Sequence, residues 1–240
     1  MKKLTLLALT LAVVMTTGNL VAVAETNYLA GKIIALDAGH DDVSYGASNT
    51  IDGVLVTEAE VNMTVVNALK SKLEEQQQAS VVVADRLATR KDRVNDAIAK
   101  CAALDFNGDG VGDGRKCDVL ISIHHNGSDD ANYDGTLVIY NEKKDKPLAE
   151  KMLAALTPLT GNSDGLLNGG YGMTVYGNLV SVITEAYFIT NDAKATRYLD
   201  LNDRTNGVSN LVLEEVDAQV KGISDYFASL SSGSKGGRPR

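Results

Sequence analysis

The chain has 240 residues, 44% of them hydrophobic and 22% charged, which is enough for one domain with a full core and excludes a disordered or fibrous chain. Thirty-one acidic residues against 23 basic ones give a formal charge of −8. That balance argues against nucleic acid as a partner.

The first two dozen residues read as an export signal. Lys2-Lys3 precedes an apolar run from Leu4 to Met15, and Ala22-Val23-Ala24 supplies the small-x-small pattern of a cleavage site before Glu25. A run of about a dozen residues is short for a bilayer span. The segment therefore predicts export, to the periplasm or the extracellular space, with no stable membrane anchor. Removal of residues 1–24 takes Lys2 and Lys3 away and moves the formal charge from −8 to −10.

Beyond the signal, strand-like and helix-like segments alternate. Lys32–Asp37 reads as a strand. Glu58–Gln76 reads as a helix, because Val61, Val65, Leu69 and Leu73 recur every four residues. Ser80–Ala84 is a second strand, and Arg90–Leu104 a helix with Val94, Ala97, Ile98 and Cys101 on its inward stripe. Val119–Ile123 and Thr136–Tyr140 follow as strands. Lys146–Leu156 is helical, with Pro147 in the first turn where its missing N–H costs nothing. Gly172–Tyr176 and Val180–Thr184 look like two more strands. Asn191 or Asp192 caps a short helix through Leu199, and Ser209–Leu230 forms a long closing helix on Leu211, Val212, Val216, Val220 and Ile223. Ser231–Arg240 is Ser/Gly-rich and predicts a flexible tail. Wholly apolar strands separated by helices imply a single α/β domain over 25–230: a twisted, largely parallel sheet of about six strands with helices on both faces. A monomer is the favoured oligomeric state.

Two cysteines in an exported chain predict one disulfide, Cys101–Cys117, with two free buried thiols as the alternative. Such a link closes an acidic insert, and the chain-entropy model gives it about 3 kcal/mol. Within the insert, Asp105, Asn107, Asp109, Val111 and Asp113 follow the alternate positions of a calcium-binding loop, with Gly110 sixth. The twelfth position holds Lys116 instead of the glutamate such a loop requires. A calcium site and a plain acidic turn are equal readings.

All three histidines fall in two motifs, each after an apolar run: His40 closes Ile33–His40, and His124 and His125 close Val119–His125. Imidazole is the commonest protein ligand for transition metals, and reactive groups in open α/β sheets gather beyond the carboxyl ends of the strands. A third ligand is expected from the start of the first helix. Glu58 and Glu60 compete for the role; Thr57-x-x-Glu60 fits a capping box, which would occupy Glu60 and free Glu58. Two histidines and a carboxylate suit zinc with one open position. Glu185, at the end of Val180–Thr184 and beside Ala186, Tyr187 and Phe188, is the candidate proton carrier, in an apolar setting that raises a carboxyl pKa. Strand alternation turns His125 away from the site.

Asp37-Ala38-Gly39-His40, Glu58-x-x-Val61-Asn62-Met63, Ser122-Ile123-His124-x-Asn126 and Glu185-x-x-Phe188-Ile189-Thr190-Asn191 together resemble the zinc-dependent N-acetylmuramoyl-L-alanine amidases of bacterial cell-wall turnover. The resemblance runs from about Lys32 to Leu230. It implies that His40, Glu58 and His124 hold zinc, that Glu185 is the catalytic carboxylate, and that Asn126 supports the ligands. It implies peptidoglycan as substrate, cut between N-acetylmuramic acid and L-alanine. Gly46-Ala47 and Arg93 also fall where the family has Gly-Ala and an arginine. The chain departs from the family with Ala38 for proline, Asp41-Asp42 for two glycines, and Tyr187 for a glycine. The two acids are placed to add a ligand or tune the charge, and Tyr187 to narrow the groove. The stretch between Tyr140 and Glu185 is too short for the helical plug of some relatives, which predicts an open site. Other classes to separate from this one are a zinc carboxypeptidase-like peptidase and a non-catalytic peptidoglycan-binding protein.

Overall fold

The computed structural model describes residues 26–233; the predicted export signal with its expected cleavage site and the last seven residues lie outside them. In chain order the elements are β1 (Ile33–Ala38), β2 (Ser48–Ile51), β3 (Val54–Thr57), α1 (Glu58–Glu75), β4 (Ser80–Val83), α2 (Arg90–Ala102), β5 (Val119–Asn126), β6 (Thr136–Tyr140), α3 (Lys146–Leu156), β7 (Ser163–Asn168), α4 (Gly172–Val175), β8 (Ser181–Phe188), α5 (Asp192–Leu199), β9 (Arg204–Thr205), β10 (Val208–Ser209) and α6 (Asn210–Gly233).

Six strands form one sheet in the order β4-β1-β5-β8-β6-β7. All neighbours are parallel except β6 and β8. The expected α/β layering is therefore present, with one antiparallel seam. On one face Ile34, Leu36, Ile121, Ile123 and Val182 pack against the apolar stripes of α1, α3 and α6. On the other, Ile33, Ala35, Leu120 and Ile183 meet Val94, Ala97 and Cys101 of α2. Burial on both faces is why these strands read as unbroken apolar runs.

Two expectations need correction here, and two elements were not foreseen. Gly172–Val175 is a short helix instead of a strand, and the edge strand is β7, which sequence did not suggest. Its residues Ser163–Asn168 are exposed or half-buried and carry only Leu166 and Leu167 as apolar side chains, so neither alternation nor a run marks them. The β2–β3 hairpin was also unforeseen; it turns at Asp52-Gly53, both in the left-handed region, the usual two-residue hairpin chemistry. The predicted tail begins late, since α6 continues through Ser231 to Gly233.

Cys101 and Cys117 are joined, Cα–Cα 5.5 Å, tying the end of α2 to the segment that enters β5. The loop between them binds itself. Asp105 accepts the N–H groups of Asn107, Gly108 and Gly110, and Asp113 accepts that of Phe106. Its carboxylates are spent on turns and form no metal-ligating group among the described residues. The calcium reading is withdrawn.

Candidate metal centre

His40, Glu58 and His124 arrive from three elements. His40 follows β1, His124 lies near the end of β5, and Glu58 is the first residue of α1. β1 and β5 are neighbours in the sheet, so the two imidazoles meet above one edge, with ring centroids 5.0 Å apart. Thr57 caps α1 by accepting the Glu60 N–H. The loop before the helix locks to it reciprocally: Glu58 N–H donates to the Ala47 carbonyl and Ala47 N–H to Glu58 Oε2. The His125 N–H also donates to Glu58 Oε1. Glu58 is thus fixed by backbone before any ion is considered.

One nitrogen from each histidine and one oxygen from Glu58 lie within 4.8 Å of one another, the only such metal-ligating group among the described residues. His124 Nδ1 is 2.9 Å from Oε1, and His40 Nε2 is 3.2 Å from Oε2. Burial alone would raise the Glu58 carboxyl, yet the hydrogen bonds from His124 and His40 hold it well below the usual carboxylate range. The hydrogen bond to Glu58 in turn raises His40. Space around the group is shaped by missing side chains. A Cβ on Gly39 would stand 2.3 Å from the His124 ring, and one on Gly46 would stand 2.2 Å from Glu58 Oε2. His40 itself sits in the left-handed region at φ 64°, a conformation costing about 1 kcal/mol in a non-glycine residue.

A scan against family models matches residues 34–216 to the N-acetylmuramoyl-L-alanine amidase model. The chain belongs to this family.

Solved structures agree on the fold. The catalytic domain of CwlV, an amidase from Paenibacillus polymyxa var. colistinus, superposes with a TM-score of 0.65 at 22% identity, covering 82% of this chain and 98% of that one. An N-acetylmuramoyl-L-alanine amidase of Clostridium difficile 630 gives 0.65 at 20%, covering 83% and 98%. AmiC2 of Nostoc punctiforme gives 0.63 at 18%, covering 83% and 99%. No curated protein sequence matched.

In this amidase-family chain Glu185 is the in-register partner of His124 across the β5–β8 pairing, so both side chains leave the same face. It lies within β8 instead of beyond it. Neither carboxyl oxygen has a hydrogen-bond partner, and Oε2 is fully shielded from solvent. Burial, with the Glu58 charge as the smaller cause, pushes its pKa up to about 8. The apolar setting read from sequence has the expected effect.

Other expected residues fall differently. His125 does face away: its Nδ1 is 2.7 Å from Asn62 Oδ1 and its Nε2 2.9 Å from Glu215 Oε2, fully buried. Asn126 spends its Oδ1 on the N–H of Gly127 and has no hydrogen bond to a ligand side chain. Asn62 does the supporting, donating to the Gly39 carbonyl at 3.0 Å and towards Glu58 Oε1 at 3.5 Å. Its position four residues after Glu58, on the same helical face, was the available signal. Glu60 forms only half of a capping box; its carboxylate accepts from Tyr198 instead.

Asp41 is no ligand, because its Oδ1 accepts the Val43 and Ser44 N–H groups, and Asp42 points into solvent beside Arg86. Tyr187 does not narrow the groove. A register shift between His124 and Asn126 places Glu185 and Phe188 opposite them, and this bulge re-aims Tyr187 into the other face, where it packs on His125.

Arg93 holds the ligand loop from below. Its guanidinium donates to Asp37 Oδ1 at 2.9 Å, to the Ala38 carbonyl and to the His40 carbonyl, while Ser122 donates to Asp37 Oδ2. A cleft of about 550 Å³ opens beside the centre, lined by His40 and His124 on one side, by the start of α2 on another, and by Gly172, Met173 and Tyr176 around α4. α4, four residues long, borders the cleft and leaves His40 and His124 accessible.

Proposed function

We propose that this chain is an exported zinc amidase that cuts the bond between the lactyl group of N-acetylmuramic acid and L-alanine of the stem peptide. Family membership supports the reaction, and the apolar run before Ala24 supports export. The observation that carries the site assignment is the convergence of His40, Glu58 and His124 within 4.8 Å, beside a half-buried Glu185 whose Oε2 is shielded and without a hydrogen-bond partner. Two imidazole nitrogens and one carboxylate oxygen, with Gly39 and Gly46 leaving room for them, are a donor set that fits zinc. Bound there, zinc supplies Lewis acidity that polarises a carbonyl and acidifies water.

The chain's own residues supply the rest. Glu58, His40 and His124 orient the centre, and the Arg93–Asp37 pair fixes the loop that carries His40. Glu185 takes a proton from the attacking water on a carboxyl oxygen and passes it to the departing alanine nitrogen, so that one C–O bond forms as the C–N bond breaks. A carboxyl poised near neutrality suits both transfers.

The test is digestion of purified sacculi by wild type and Glu185→Gln, with product analysis and metal content measured together. Wild type should free intact stem peptides beginning with L-alanine. The variant should keep about one zinc and lose at least ~10²-fold in rate, the scale of a general acid–base contribution. Release of single C-terminal amino acids would instead establish the carboxypeptidase-like chemistry. Unchanged turnover would remove Glu185 from the mechanism.

A further inference from the structure

The cleft wall opposite His40 and His124 carries two cations that no protein group neutralises. Arg90 and Lys91 open α2, line the cleft or its rim, and are both exposed. Arg90 is the one arginine among the described residues whose side chain has no hydrogen-bond, ion-pair or ring partner. Arg86, Arg93 and Arg197 pair with carboxylates; Arg115 and Arg204 donate to carbonyls. Its nearest acid in sequence, Asp92, is engaged by the Thr89 hydroxyl at the helix cap. Of the other charged groups on the cleft, Asp37 is paired with Arg93, and Asp41 is folded onto its own turn.

The side chain is also placed. A Cβ on Gly172 would stand 2.5 Å from Arg90 Cδ and 2.7 Å from its Cβ. The aliphatic stem therefore lies flat against the backbone at the start of α4, with the guanidinium free at its end. In a chain of net charge −8, an unpaired guanidinium on a packed aliphatic stem, in the same cleft as the metal-ligating group, is the feature of an anion receptor.

We propose that Arg90, with Lys91 as a weaker second charge, binds a carboxylate of the stem peptide. This rests on the amidase reading and adds direction to it: the peptide runs from the metal centre towards α2, leaving the glycan on the other side. Every free stem peptide bears at least its C-terminal carboxylate, and planar guanidinium recognises that group bidentately. Arg90 is here a specificity residue and takes no part in proton transfer.

The experiment measures binding without turnover. Glu185→Gln protein, loaded with zinc, is titrated calorimetrically with an N-acetylmuramoyl tripeptide in two forms, carboxylates free or converted to primary amides. The free acid should bind roughly tenfold more tightly, as expected for a charge-assisted hydrogen bond at a partly exposed site. Adding Arg90→Gln should abolish that preference by weakening the free acid, and Arg90→Lys should restore part of it. Equal affinity for the two forms, or a preference that survives Arg90→Gln, overturns the proposal, as does failure of both forms to bind. The amidase reading fails by a different result, absence of stem-peptide release from sacculi by wild type.

Discussion

At the scale of single residues, the centre depends as much on what is absent as on what is present. Gly46 adopts φ 74°, and any side chain there would enter the Glu58 carboxylate. Gly46→Ala should therefore fold with a modest loss but bind zinc at least tenfold more weakly, since displacing a ligand's support by even a fraction of an ångström degrades such sites. Competition with a chromogenic chelator measures this, and unaltered affinity would show that the loop can yield. Glu185 gives a pH signature in metal-free protein. Its pKa is near 4.5 unfolded and about 8 folded, so the folded state keeps a proton that the unfolded chain releases. Its contribution to stability is thus fully present below pH 4.5, falls as pH rises to about 8, and is level above that. The span corresponds to on the order of 3–5 kcal/mol. Glu185→Gln keeps a neutral side chain at every pH, so its urea midpoint should rise relative to wild type across that window. Parallel curves would mean that the carboxyl is not held neutral by the fold.

At the scale of elements, legibility followed burial. The existence of β1, β5, β6 and β8 was legible because both sheet faces are covered and their sequences are mostly apolar, although β5 and β8 run past the ends read from sequence. α1, α2, α3, α5 and α6 were read from their periodic stripes and caps. The elements missed are those that packing decides: an edge strand with two leucines, a hairpin of Ser48–Thr57, and Gly172–Val175, whose short helix rests against Arg90 of α2. Strict alternation also failed at Tyr187, since one extra residue in β8 moves a side chain through the sheet. The partners of His125 were illegible for a simpler reason, as Glu215 is 90 residues away. What α2 contributes can be measured. Arg93→Ala would leave Asp37 as an uncompensated charge that is wholly buried, with an expected cost of about 3–5 kcal/mol. Converting the acid as well, in Asp37→Asn/Arg93→Ala, should recover part of that loss. If the single variant is as stable as wild type by denaturant unfolding, the pair does not organise the loop.

At the scale of the molecule, the site exists because β1, β5 and β8 are adjacent in the sheet although far apart in the chain. The candidate ligands were legible as histidines after strands and an acid at a helix start; the capping box at Thr57 favoured Glu58 over Glu60, and the order of motifs along the chain pointed to the same set. The topology has a thermodynamic consequence. An ion held by His40, Glu58 and His124 ties the loop after β1, the start of α1 and the end of β5 into one unit, and the unfolded chain offers no equivalent. Zinc at a hundred times its dissociation constant should then add about 2.7 kcal/mol by mass action. For a chain of this length that is a rise in Tm of roughly 5–10 °C. The rise should vanish in His124→Ala and be reversed by a chelator. Calcium, which finds no ligand cluster in the self-bonded 105–113 loop, should leave Tm unchanged. A zinc-induced rise that persists in His124→Ala would mean that the stabilising ion binds away from the centre where these three strands meet.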